Sequence, residues 1–261
     1  AAIVEAGRQD YDLGTDPKAV TPYYFSWIDS PGKGHRMHWA SGAELTAPIV
    51  TGVQLSLAAR YDHFNFAGQD VGQGTYNAGL EYRPIDTLLL RAAFGTGFRA
   101  PDLNYIYKGI GYVEGSDPDY YTCLLDDPNS DPSDCKDARF QVQTSGSPKL
   151  RPETSDSYNF GFVWSPSHHF DISADYFNVK MQNVVEDMEV DPILRNEAEC
   201  RLGDQNINSP TCQDAIARVV RNSNGTIRYV IINPINIALE KTSGIDLSAH
   251  ASIDTSVGVF G

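Results

Sequence analysis

Apolar and polar residues alternate with period two along most of the chain. Val53, Leu55, Leu57, Ala59 and Tyr61 are interleaved with Gln54, Ser56, Ala58, Arg60 and Asp62. Tyr76, Ala78, Leu80 and Tyr82 are set against Thr75, Asn77, Gly79, Glu81 and Arg83. The same alternation runs through Leu88–Gly95, Ser157–Trp164, Phe170–Tyr176 and Ile245–Ile253. It is less clean from about Arg36 to Thr46. Period two marks β-strands with one apolar face. The chain is therefore expected to be all-β, with seven such strands.

The connections sharpen that expectation. Ala47–Gly52, Pro84–Thr87 and Ser165–His169 are short, and each contains proline. His63–Gln73 is of moderate length, whereas Arg99–Thr154 and Gln182–Ile235 are long. Short and long links thus alternate, as in membrane barrels with tight periplasmic turns and long extracellular loops. Placing the short turns in the periplasm sends strands near 36–46, 74–83, 155–164 and 236–253 inward. Strands near 52–62, 88–98 and 169–181 run outward. Tyr61, Tyr76, Phe98, Tyr158 and Tyr176 then fall toward outer strand ends, and Tyr82, Trp164 and Phe170 toward inner ends. Rings at both ends of an apolar band suit two membrane interfaces. Two rivals keep the strands but change the function: a passive porin-like barrel, and a soluble secreted β-sandwich that binds glycans with its apolar faces buried.

Seven is an odd number of strands, and an open sheet edge in lipid leaves backbone groups unsatisfied. The expectation is that residues 1–261 form part of one longer barrel domain, with no plug domain visible. No run of 18 apolar residues exists, so no helix is expected to span a membrane. The start of the chain lacks a basic segment followed by an apolar core, which suggests a mature chain or an internal segment. A mean hydropathy of −0.34 suits strands that are apolar on one face only.

Charge changes the picture in one respect. Twenty Lys and Arg against 34 Asp and Glu give a net charge of −14, which excludes nucleic acid as a partner. The acidic loops are read first as a solvated surface, with calcium or a cationic ligand as the alternative. Cys123 and Cys135 are 12 residues apart, as are Cys200 and Cys212, each pair in a polar loop. Without a Cys-x-x-Cys or His cluster, two local disulfides are expected rather than a metal site. They imply an oxidising compartment. Within the loops, Asp117–Asp137 reads as irregular, Cys212–Arg221 as a short helix started by Ser209-Pro210, and Asn224-Gly225 as a hairpin turn.

Several segments resemble TonB-dependent receptors. Phe94-Gly-Thr-Gly-Phe-Arg-Ala-Pro-Asp-Leu103 is similar to the strand end in Phe-Arg-Ala-Pro of that family, here Phe98, Arg99, Ala100 and Pro101. Leu150-Arg-Pro-Glu-Thr-Ser155, followed by Tyr158 and Gly161, resembles the Leu-x-Pro-Glu element through Leu150, Pro152 and Glu153. Phe170–Phe177 resembles the following strand. Gly244-Ile-Asp246 resembles a later Gly-Ile-Glu element, with Asp in place of Glu. The resemblance spans roughly residues 36–255. It implies a barrel of about 22 strands around a plugged lumen in the bacterial outer membrane. It also implies active uptake of a scarce nutrient such as a siderophore or glycan, with the plug and a TonB complex as partners and outer-membrane lipid as surroundings.

No catalytic signature is present: no Gly-x-Ser-x-Gly, His-Glu-x-x-His or P-loop. The chain is read as a non-enzyme without cofactor or metal. His168-His169 falls in a short turn, where a metal site would need further ligands. Arg60, Glu81, Arg91, Asp171, Asp175, Asp246 and His250 share the polar faces and are expected to line the lumen, as wall or as substrate path. Arg99 and Pro101 are read as shaping the exit from strand to loop. Tyr105, Tyr107, Tyr112, Tyr120 and Tyr121 are the ligand-binding candidates, since a phenol offers both an apolar face and a hydroxyl.

Overall fold

The computed structural model describes residues 1–14, 16–18, 27–28, 30–255 and 258–260. Most of them form a long antiparallel meander. Its strands are β1 (Ala2–Leu13), β3 (Gly32–Val50), β4 (Val53–Phe66), β5 (Gln69–Ile85), β6 (Leu88–Arg99), β9 (Glu153–Ser167), β10 (Phe170–Asp187) and β13 (Pro234–Ala251). They pair in the order β1-β3-β4-β5-β6-β9-β10-β13. Among the described residues this sheet does not close, and β1 and β13 are its edges. A further hairpin, β14 (Ile253–Thr255) with β15 (Gly258–Phe260), follows.

Register confirms the two faces. Leu57, Leu45 and Ala78 form one cross-strand row, as do Phe94, Tyr158 and Ala78. These outer rows stay exposed: Leu247 is 76% and Ile245 68% accessible. A soluble sandwich would cover such a face, so that rival does not match the arrangement found. Ring pairs gird the outer face: Trp39 with Tyr61, Tyr76 with Phe94, Tyr158 with Tyr176, and Trp164 with Phe170.

Three expectations about the sheet are corrected. The sheet has eight strands rather than seven among the described residues, the additional one being β1. Its outward positions Ala2, Val4 and Ala6 give way to Arg8 and Asp10, while Ile3 sits on the inner row opposite Gly42. Alternation too weak to see in sequence is rescued by pairing along the whole of β3. Second, His63–Gln73 is no loop. β4 and β5 continue to a two-residue turn, Ala67-Gly68, with φ of 49° and 76°. Left-handed values at both positions match the hairpin twist, which explains the glycine. Spanning a bilayer takes only about 9–11 residues per strand. The 14 and 17 residues of β4 and β5 are longer than such a crossing needs. Third, Phe98 does not join the outer rings. The β5–β6 ladder stops at Asn77–Gly95, and Phe98 packs edge-on against inward-facing Phe64 at 5.8 Å.

The two long loops fold into a cap. The first holds α1 (Leu103–Tyr107), β7 (Gly111–Pro118), α2 (Tyr120–Asp126), a 3-10 turn at Pro132–Asp134 and β8 (Asp137–Thr144). The second holds α3 (Val190–Leu202), α4 (Pro210–Arg218), β11 (Val219–Arg221) and β12 (Ile227–Ile232). With β2 (Trp27–Ile28) they build a second sheet, β11-β12-β8-β7-β2, in which β8 and β12 run parallel. The stretch 117–137, expected to be irregular, is mostly ordered, because the Asp119 carboxylate caps α2 by accepting from the Thr122 amide. The helix expected over Cys212–Arg221 is α4, capped by Ser209, but it stops at Arg218 and Val219–Arg221 is strand β11, which Asn224-Gly225 turns into β12.

Candidate functional site: inner wall and loop cap

The inner face of the sheet carries its charges in rows. Glu81, Arg91, Gly161, Asp175 and Asp246 are successive partners across β5, β6, β9, β10 and β13. Arg91 Nε donates to Asp175 Oδ1 at 2.8 Å although a whole strand lies between them. Gly161 is why: a Cβ there would collide with the Asp175 carboxylate and the Ala174 carbonyl. Glu81 pairs with Arg83 at 3.2 Å, and Asp171 faces His250 at 3.8 Å. Register puts Arg60, Glu81, Arg91, Asp171, Asp175, Asp246 and His250 on one face of the sheet.

Arg60 belongs to a denser cluster higher up, most of which sequence reading missed. It reaches Asp62 at 2.8 Å and Glu5 of β1 at 3.0 Å. His38 Nε2 lies 2.9 Å from the buried Asp62 carboxylate, and its ring stacks on Phe64 at 4.4 Å. Arg36 sits over the same phenyl ring and donates to the Pro101 carbonyl at 2.9 Å. Together with Arg99 these side chains line a cavity of about 640 Å³ at the mouth. The cluster thus sets both signs of charge side by side along one polar wall. Among the described residues no group of three His, Cys, Asp or Glu side chains is arranged to hold a metal ion.

The motif residues meet at the rim. Arg99 Nε lies 2.8 Å from Glu153 Oε2, and Glu153 Oε1 accepts the Val185 amide at 2.8 Å. Glu153 is 2% exposed, and Ala100, Pro101 and Leu150 are buried beside it. One carboxylate thus ties β6, β9 and β10 together where both long loops begin. Pro152 precedes it in the same strand entry. Gly244 serves the wall: the Phe177 ring lies across it, 2.9 Å from where a Cβ would stand. Asn236, with no sequence signal, accepts from the Arg151 amide at 2.8 Å and donates to the carbonyls of Arg151 and Asn183.

The five loop tyrosines are not gathered into one site. Tyr107 is a strut whose hydroxyl donates to the His35 carbonyl and accepts the Ala67 amide, each at 2.8 Å. Tyr120 is buried in the cap core, donates to Asp191 at 2.6 Å and lies under Arg195. Burial and that carboxylate push its phenol above the ordinary value. Tyr121 is flanked by Arg201 and Arg221. Tyr105 contributes its carbonyl to the Ser147 amide. Tyr112 alone lies on the cap-sheet face opposite the core, meeting Tyr229 edge-on at 6.0 Å and donating to Gln143.

The cap is held by both loops at once. Its core joins Tyr120, Phe140 and Val142 of the first to Ile193, Leu194, Val219 and Val230 of the second. Both expected disulfides are present, Cys123–Cys135 and Cys200–Cys212. Between the loops, Arg221 donates to Asp119 at 2.8 Å and to the fully buried Glu197 at 2.6 and 2.8 Å. Burial works to raise the Asp119 carboxyl and to lower the Arg221 guanidinium, but their pairing prevails and shifts each toward its charged form.

A family model described as TonB dependent receptor-like, beta-barrel, matches residues 4–261. No curated protein matches the chain. Among solved structures, the siderophore receptor PirA from Acinetobacter baumannii is 11% identical with a TM-score of 0.57. That match covers 98% of this chain and 34% of PirA. A mutant of the ferric enterobactin receptor PfeA from Pseudomonas aeruginosa is 15% identical, TM-score 0.56, over 87% of this chain and 26% of its own. A mutant of the Serratia marcescens hemophore receptor HasR, solved with its hemophore HasA and heme, is 12% identical, TM-score 0.52, over 97% and 39%. The chain thus spans between about a quarter and two fifths of these proteins.

Proposed function

The chain belongs to the TonB-dependent receptor-like β-barrel family, and on that premise we propose that it forms part of an outer-membrane receptor that captures a scarce nutrient and imports it with energy delivered through TonB. The nutrient is a siderophore, glycan or similar molecule. A plug domain and the TonB complex are partners of the whole protein. The observation that carries this reading is the meander itself, with an exposed apolar face girdled by aromatic rings opposite a charged face roofed by folded loops. A lipid belt covers such an outer face; a charged wall beneath a cap suits a polar cargo. The siderophore and hemophore receptors named above agree with a nutrient of this class. Within the cap, Tyr112 with Tyr229 is the tyrosine pair best placed to meet a ligand.

Cell fractionation of the intact protein tests the reading. A band in the outer-membrane fraction that migrates faster unboiled than boiled is expected. A protein found soluble in the periplasm or medium overturns it. Ligand capture is checked by uptake in cells with and without TonB. TonB-independent uptake returns the passive porin to the front.

A further inference from the structure

Lys180 of β10 and Lys241 of β13 are direct cross-strand partners. Both carry the parity of Tyr176 and Ile245, the outer face of the sheet. Side chains directly opposite one another have Cβ atoms about 4.5–5.5 Å apart, and like charges in that position repel. Among the described residues neither ammonium has an ion-pair partner. The nearest carboxylate by register, Asp156 on β9, instead accepts from Gln182. An edge-guarding role would account for Lys241 but not for Lys180, whose strand is paired on both sides.

Height selects the occupant. From Phe170, in the lower ring pair with Trp164, to Lys180 the strand climbs ten residues. At about 3.4 Å per residue and a tilt of about 40°, that is about 26 Å along the barrel axis. The apolar band of such barrels is about 25 Å tall. Both ammonium groups therefore emerge where the hydrocarbon ends and headgroups begin, above the Tyr158–Tyr176 pair. We propose that Lys180 and Lys241 together grip the phosphate of a lipid headgroup in the outer leaflet, the shared anion turning a repulsive pair into a two-pronged site. The inference rests on the outer-membrane reading above.

The test uses the intact barrel in mild detergent, titrated with lipid A and read by native mass spectrometry. Each lysine near an anionic lipid surface contributes enough to predict that Lys180→Gln with Lys241→Gln weakens lipid A binding roughly 30-fold. The paired Lys→Arg variant should retain it. If the double Gln variant does not assemble, Lys241→Gln alone carries the test, with a loss of roughly fivefold. Lipid A bound equally by wild type and the Gln variant overturns the proposal. So does inorganic phosphate that displaces lipid A at matched concentration, which would assign the pair to a free anion. Migration of the same samples before and after boiling reports the barrel separately. A heat shift with lipid binding unaffected refutes only the lysine site, whereas no heat shift in the wild type refutes the outer-membrane reading.

Discussion

Single residues decide how the wall closes on itself. Gly161 leaves the gap through which Arg91 meets Asp175, so Gly161→Ala should force the backbone of β9 and β10 apart. Overpacking of this kind costs about 1–3 kcal/mol. The loss should appear as a lower temperature for conversion of the folded to the boiled band. Glu153→Gln removes the charge that binds Arg99, and the amide is a poorer acceptor for the Val185 N–H. A buried bond of that type is worth about 1–3 kcal/mol. Faster amide exchange at the upper ends of β6 and β10 would report it, with the lower halves unchanged. Tyr107→Phe tests the strut, since it deprives the His35 carbonyl and the Ala67 amide of one shared partner. Unaltered exchange at Ala67 would show that the hairpin does not depend on it.

At the scale of elements, alternation made the strands legible, and it failed where the outward row changes from apolar to charged, as in β1. It also failed at the top of β4 and β5, where the outward row turns polar through His63 and Asn65 and the apolar Phe64 and Phe66 are buried on the other face. The disulfides and α4 were legible from spacing and capping residues. The ion cluster of Asp119, Glu197 and Arg221 was not, since its members come from three distant points in the chain and each alone looks like a solvated charge. Arg221→Met leaves Asp119 buried without its cation and Glu197 with Arg201 alone, and breaking a buried pair in this way typically costs about 3–5 kcal/mol. Amide exchange across α2, α3 and β11 should rise together. The pairing also sets an acid limit. The Asp119 and Asp191 carboxyls are held below their ordinary value, Asp191 chiefly by the Arg195 hydrogen bond. Their contribution is complete above the usual carboxylate range and is lost as pH falls through the depressed values. Asp117, raised by burial and by neighbouring carboxylates, works in the opposite sense and favours the fold slightly at lower pH. Cap protection is therefore expected to hold at pH 6 and weaken below about pH 4, checked by exchange across that range.

For the molecule as a whole, sheet and cap obey different rules. The sheet leaves one apolar face exposed, whereas the cap has its own core, two disulfides and a salt-bridged seam, like a small secreted domain. Reduction of the disulfides, each closing a 12-residue separation, should lower cap stability by about 2–3 kcal/mol per bridge while the boiled-band assay of the barrel stays the same. Because β8 of one loop lies hydrogen-bonded beside β12 of the other, and the core draws on both, neither loop is an exchangeable part. Grafting one of them from a relative would deliver half a core and half a seam. Inheritance at this mouth must therefore proceed by paired change, so new specificities arise either from both loops drifting in concert or at the few solvent-facing positions, such as Tyr112 and Tyr229, that the shared interior leaves free to vary.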